Sequence, residues 1–449
     1  MIVTKRSLTL SIGFITMTGP LSMAKASEAE FGQKVVQAAG EIASPMLNET
    51  MKHVELGGPF FGYLEVDGDL AEGAEFLQKL FVVSDGYGVD FPEELNIPEL
   101  LLATGLPQLR SIGASSVRKG NRYSNRVFIE NGGKREGWFK MMGGAPAKPL
   151  VESLGLAGMD MVYERDLDLS ALGEFFEQAG GLIGGEAPEK VEEMLADPMP
   201  SGLSFREFLQ RTKGRMLFMV DIYSEAEPSE FIPVPLGPEN VGKIPPFDAL
   251  LVADGMAWFF GEILGSIPPE MAQQVEGEEG SRVLSLPSMG PGVMERMEPV
   301  LIEDVANDRL ILSTSSEFWK KCLAQEAPLS GDGEYVAAFE GLPEESNGLF
   351  YFSSDAKEEI SKFIKEAMDV EGQEEVVLVV VDWFLKLLVG DGGPEAGVQV
   401  NLDQGILIAT NSDDSLKKSA MVVPMGLIGL GVIGFAAEAP QVLELEPVE

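Results

Sequence analysis

The stretch GYLEVDGDLAEGAEFL, residues 62–77, decides how the rest of the chain is read. An apolar run meets an aspartate, turns, and continues with Leu70, Ala74, Leu77 and Phe81 at helical spacing. That pattern predicts a strand, a turn and an amphipathic helix with one apolar face against a sheet. MVYERDLDLSALGEFF, residues 161–176, repeats it without a gap and with identities at six of sixteen positions: Glu65/Glu164, Asp67/Asp166, Asp69/Asp168, Leu70/Leu169, Glu75/Glu174 and Phe76/Phe175. Two looser copies follow. ALLVADGMAWFFGEIL (249–264) puts Asp254 and Glu262 where Asp67 and Glu75 stand, and LFYFSSDAKEEISKFI (349–364) supplies Asp355. Asp67 to Asp254 spans 187 residues and Asp166 to Asp355 spans 189, the spacing that an internal duplication leaves.

The remaining segments fit two halves. After a helical lead-in (27–58), residues 109–142 read as an antiparallel meander of LRSIGASSVRKG, NRVFIENG and KREGWFKMMGG, and GRMLFMVDIY (214–223) closes the first half. FIPVPLGPENVGKIPP (231–246) holds five prolines and two glycines and reads as an extended linker. In the second half, PVLIEDV and DRLILSTS form a hairpin turning at Ala306-Asn307. The helix SEFWKKCLA and a strand EYVAAFEG follow, then an apolar segment (374–389) that reads as a buried helix or, by its valine run, a strand, and a last hairpin of GVQVNLD and GILIATN. Hairpins and single helices between strands predict an α+β fold of two duplicated halves with antiparallel or mixed sheets. The expected division is a signal peptide (1–26), a first α+β domain (27–230), the linker (231–246), a second α+β domain (247–419) and an apolar segment with an acidic tail (420–449).

The chain has 449 residues, long enough for two domains with real cores. Its 33 Lys+Arg against 72 Asp+Glu leave a net charge of −39. That surface repels nucleic acid and anionic lipid and favours cations and basic partners. The basic start MIVTKR, the apolar run after it and Ala24-Lys25-Ala26 have the form of a secretory signal peptide. With one cysteine, Cys322, no intramolecular disulfide forms, which fits a bacterial periplasm or cell envelope. Ala420 to Ala437 is an uncharged run of eighteen residues at the lower limit of a membrane-spanning helix. Pro424, four glycines and flanking charges against the positive-inside tendency favour a buried or loosely packed tail over a membrane anchor.

The chemical repertoire is thin. The lone His53 lies far from any Ser or Cys signature, and His and Cys ligands for zinc are lacking. Ser354-Asp355-Ala356-Lys357 fits S-x-x-K without its companion elements. Gly429 to Gly434 spells G-x-G-x-x-G with only fifteen residues after it, too few for a dinucleotide-binding unit. The four tryptophans, Trp138, Trp258, Trp319 and Trp383, sit in apolar elements and read as core. No cofactor is implied. The catalytic candidates are the paired carboxylates Asp67/Asp69 and Asp166/Asp168, which suit two-carboxylate hydrolysis if they share a cleft. The competing reading is helix capping, since Asp69-Leu-Ala-Glu72 and Asp355-Ala-Lys-Glu358 have capping-box spacing.

With the strand-Asp-helix units go the hairpin ends LILSTSSEFWKKCL (310–323) and ILIATNSDDSLKKSAM (406–421). Over residues 59–420 the chain resembles a family of large exported bacterial proteins, of planctomycete and verrucomicrobial type, known as domain of unknown function 3352. The resemblance implies export and a duplicated α+β plan, and it brings no activity, cofactor or catalytic residue. The expectation is therefore an exported, non-enzymatic envelope or periplasmic protein presenting a binding or scaffold surface to cations, basic proteins or envelope components. A carboxylate-dependent hydrolase and a membrane-anchored envelope protein are the alternatives.

Overall fold

The computed structural model describes residues 44–85, 95–199, 202–223, 226, 232–235, 241–268, 275–278, 280–286, 298–325, 327–368 and 392–416. The strands are β1 (Phe60–Glu65), β2 (Ser111–Lys119), β3 (Arg122–Glu130), β4 (Met161–Asp168), β5 (Lys213–Ile222), β6 (Ile232–Pro235), β7 (Val241–Ile244), β8 (Phe247–Asp254), β9 (Val275–Glu278), β10 (Ser281–Ser285), β11 (Val300–Asp304), β12 (Arg309–Ser313), β13 (Gly348–Phe352), β14 (Glu395–Asn401) and β15 (Gly405–Ser412). The helices are α1 (Pro45–Thr50), α2 (Asp69–Asp85), α3 (Ile97–Thr104), α4 (Trp138–Met141), α5 (Val151–Leu154), α6 (Ser170–Ile183), α7 (Ala187–Ala196), α8 (Phe205–Arg211), α9 (Ala257–Ser266), α10 (Ser316–Ala324), α11 (Gly333–Phe339) and α12 (Ser354–Met368).

Thirteen strands form one sheet in the order β1-β2-β3-β15-β14-β13-β4-β5-β8-β12-β11-β10-β9. Every neighbouring pair in it is antiparallel. The fold is α+β, and each of the four repeated stretches is a strand leading through a turn into a helix: β1–α2, β4–α6, β8–α9 and β13–α12. Strands of both halves share this sheet, because β13, β14 and β15 lie between β3 and β4. The proline-rich stretch contains a small separate hairpin, β6–β7, where an extended linker was expected.

Two local expectations are corrected. EYVAAFEG is helix α11: the Asp332 carboxylate accepts from the amides of Glu334 and Tyr335 at 2.8 and 3.0 Å, which starts a helix. One helical turn then places the rings of Tyr335 and Phe339 in contact at 4.5 Å. The third meander segment holds the short helix α4 (Trp138–Met141) rather than a strand. The segments 1–43, 369–391 and 417–449, with the signal peptide, the apolar stretch 374–389 and the tail, lie outside the described residues.

The core forms on one face of the sheet. Strand periodicity puts Val162, Leu217, Met219, Leu250, Val252, Ile311, Leu349, Tyr351, Val398 and Leu407 on that side, where Val151 and Leu154 of α5 and Phe318, Trp319 and Cys322 of α10 join them. On the opposite face, α9 covers only the far strands, with Phe260 packed in a cluster with Leu284 and Leu301. Beside that cluster the row Tyr163–Phe218–Leu251–Leu312, in direct cross-strand register, stays partly open to solvent.

Candidate functional site

The second copy of the motif, β4–α6, sits at the middle of the sheet and is bound in on all sides. The Glu164 carboxylate is 1 % exposed; it accepts from Arg215 at 2.7 Å and from the amides of Leu150 and Val151 at 2.8 and 3.0 Å. Arg215 spreads its remaining donors over the carbonyls of Lys148, Ala147 and Ser346. Such saturation is what makes a buried ion pair tolerable, since an unpaired member would retain its full desolvation cost. One turn of strand further on, Asp166 Oδ2 accepts from the Gly144 amide at 2.9 Å. Gly143, at φ +84°, packs against that carboxylate so closely that a Cβ would lie 2.3 Å from Oδ2, so only glycine fits. Asn347 and Asn401 fasten the same loop, with Asn401 Nδ2 reaching the carbonyls of Met142, Gly143 and Gly144 at 2.9–3.1 Å.

Around this brace lies an open depression of about 480 Å³ lined by Arg135, Lys140, Asp166, Asp168, Lys213 and the glycine loop. Its charges are engaged. Arg135 donates to the Gly143 and Gly144 carbonyls, Lys140 pairs with Glu174 at 2.7 Å, and Lys213 lies 3.6 Å from Asp168. Asp168 Oδ1 also accepts from the Ser170 amide and hydroxyl, opening α6.

Asp67 and Asp69 do not line this depression. Six antiparallel steps separate β1 from β4, so the two strands run the same way and their acids occupy the same end of the sheet. The same six steps put the pairs roughly 29 Å apart measured along the sheet. The arrangement brings Asp166 and Asp168 together and leaves Asp67 and Asp69 at an edge. The other repeated acids are used differently again: Asp254 receives Arg309 Nε at 3.0 Å, and Asp355 sits in the first turn of α12.

Capping follows other residues than those expected. Helix α2 begins at Asp69 itself, with the Glu72 amide bonded to the Gly68 carbonyl, and the Ala356 amide at the start of α12 is received by the Ser353 hydroxyl at 2.9 Å. A complete capping box occurs at Ser204 and Glu207, at the start of α8. The S-x-x-K match is structural: Ser354 donates to Glu334, and the buried Lys357 pairs with Glu395 at 3.0 Å. His53 stacks on Phe128 at 4.2 Å and faces Glu49. Trp319 is core, whereas Trp138 is half exposed against Phe175 and Trp258 carries the Arg211 guanidinium 3.7 Å above its ring. Trp383 lies outside the described residues. Among the described residues no His, Cys, Asp and Glu group has metal-binding geometry, and no helix is long and apolar enough to cross a membrane.

Two features escaped the sequence reading. The first is a row of carboxylates at the opposite end of β4: Asp221 faces Asp248 directly across β5–β8, and Asp160 stands beside them, its amide bonded to the Val220 carbonyl. Burial first, then the charges of Asp160 and Asp248, push the Asp221 carboxyl up to about 6. Each acid was visible in the sequence, but their alignment depends on β5 meeting β8 across the proline-rich stretch.

The second feature is helix α2. Leu70 and Phe81 are half-buried and Ala74 is buried, as the spacing predicted, but Leu77 is exposed. Phe76, Val82 and Val83 are 65, 66 and 58 % exposed, and Leu102 on the adjoining α3 is 62 % exposed. The exposed carboxylates of Asp69, Glu72 and Glu75 lie on the same helix. Neither a protein-family model, nor a curated protein, nor a solved structure matches this chain.

Proposed function

We propose that this is an exported, non-enzymatic protein of the bacterial envelope or periplasm that binds a partner protein through helix α2. The observation that carries the reading is the exposure of large apolar side chains on α2, Phe76 and Val83 on one face with Leu77 and Val82 on its flanks, together with the exposed Leu102 of the adjoining α3. A concentration of exposed apolar side chains marks interaction sites in soluble proteins. Carboxylates on the same helix, in a chain of net charge −39, select a partner whose apolar face is flanked by Lys and Arg; they oppose a second copy of this chain or an anionic bilayer. The depression at β4 has its charges committed to bracing the sheet, which favours binding over hydrolysis.

The test uses the mature full chain and a synthetic amphipathic helical peptide with a leucine face flanked by lysines, followed by titration calorimetry. The account expects saturable binding that weakens at least about tenfold in the triple variant Phe76→Ser, Leu77→Ser, Val83→Ser. Equal affinity in the variant, or no binding by the parent chain, contradicts it. Dimerisation in sedimentation that the triple substitution abolishes would assign the surface to a second copy instead. Cell fractionation of the full-length chain tests export, with recovery of an unprocessed cytoplasmic product as the contrary result.

A further inference from the structure

One transverse row of the sheet is buried at one end and open along the rest. Direct cross-strand partners run Phe350–Tyr163–Phe218–Leu251–Leu312–Leu301–Leu284, from β13 to β10, on the face opposite the main core. Helix α9 covers the last two, with Phe260 packed on Leu301 and Leu284. No such cover lies on the others among the described residues: Tyr163, Phe218 and Leu312 are 48, 38 and 39 % exposed. Phe352, Met161, Val220 and Ala249 form a second apolar row beside the first, and the rings of Phe350 and Phe352 lie 6.1 Å apart.

The chain holds a segment of matching character and length. Residues 369–391, outside the described residues, join α12 to the turn before β14. Within them, 376–389 reads VVLVVVDWFLKLLV, with Asp382 and Lys386 its only charges. Glu375, Asp382 and Lys386 recur at i, i+7 and i+11, a single stripe of a helix whose remaining surface is apolar. Fourteen residues of helix measure about 21 Å, and the four strand spacings from β13 to β12 about 19 Å. Both ends of the segment are tied to the strands concerned. Helix α12 follows β13 directly and touches β7, which leads into β8, while β14 starts at Glu395 opposite Phe352.

We propose that the open row from β13 to β12 is an intramolecular docking surface, and that its occupant is the apolar segment 376–389, packed as a helix beside α9. Asp382 and Lys386 then stay on the solvent side, and the row receives over β13 to β12 what α9 supplies over β11 and β10. A second copy is a poorer occupant. The two rows offer roughly 300 Å², short of the roughly 800 Å² per partner of a standard stable interface, and each copy carries a net charge of −39. The other long apolar run, 420–437, departs from a different part of the sheet: the Leu416 amide donates to Ser116 Oγ of β2 at 2.8 Å.

The test places photoreactive p-benzoylphenylalanine in the full chain, at Tyr163 in one variant and at Leu312 in another, and maps the crosslinked peptides by mass spectrometry. Both positions are open enough to take the larger ring. The proposal expects each probe to join peptides from 374–389 of the same chain. Hydrogen exchange gives a second readout: the amides of 376–389 are protected in the parent chain. Their exchange rises about tenfold in Phe218→Asp and in Leu312→Asp, while the amides of β14 and β15 keep their protection. Crosslinks within a dimer would assign the row to a second copy, and crosslinks to 420–437 would assign it to the tail; either overturns the proposal. So does the absence of 374–389 from the crosslinks of both probes, or exchange of 376–389 in the parent chain at the unprotected rate.

Discussion

The units β1–α2 and β4–α6 share six residues in sixteen and the same strand-turn-helix form, yet they have opposite fates. Glu164 is buried against Arg215 and two backbone amides, whereas its counterpart Glu65 lies at the sheet edge and, among the described residues, receives the hydroxyls of Ser44 and Tyr63. Phe175 packs edge-on against Trp138, whereas Phe76 faces solvent. Local sequence sets the strand, the turn and the helix; position in the sheet sets what the side chains do. A central strand has neighbours to bury its acids and rings against, and an edge strand has them on one side only. The pattern is thus a brace at β4 and an exposed apolar helix at α2.

The sharpest way to break this contrast is at the buried pair. Arg215→Ala strands the Glu164 carboxylate and three backbone carbonyls, and should cost about 3–5 kcal/mol in urea unfolding. A loss below about 1 kcal/mol would mean that the pair does not brace the sheet. Next in size is Asp221→Asn. Its folded-state carboxyl is raised to about 6 from the ordinary 3.8, so its contribution to stability is fully present below pH 3.8 and is lost as pH rises through about 6. Neutralising it should therefore stabilise the chain by about 1–3 kcal/mol at pH 7.5 and by little at pH 4. Equal effects at both pH values would remove the electrostatic explanation. Gly143→Ala should cost about 1–3 kcal/mol, because it meets both a positive φ and the Asp166 carboxylate. The smallest effect belongs to the presented helix: Val82→Ser should move stability by no more than about 0.5 kcal/mol, and a large loss would show that this surface is packed in the folded chain.

Much of the local structure was legible in the chain itself. The four repeated stretches, the turn at Ala306-Asn307 and the final hairpin follow from hydrophobic period and turn residues, which act over a few positions. The order of strands was not legible. β3 pairs with β15 across 275 to 289 residues of sequence, and nothing local in NRVFIENG names its partner. That pairing brings Asn401 and Asn347 to the loop at Gly143, so the setting of Asp166 could not be read from the motif that contains it. The misreading of EYVAAFEG has a local cause: Asp332, which starts the helix, lies just before the apolar run, and a short run with Tyr, Val and Phe satisfies strand and helix patterns alike. The outward apolar face of α2 was hidden for a related reason, since periodicity finds an inward face and does not limit what the other face carries.

The central claim, that the same sequence pattern braces the centre of the sheet and stands exposed at its edge, is tested most directly by removing the same charge from both stretches. Glu164→Gln and Glu65→Gln are compared by urea unfolding at pH 7 under identical conditions. The account predicts a loss of about 3 kcal/mol or more for the first and less than about 1 kcal/mol for the second. Equal losses, or a larger one at Glu65, would contradict it.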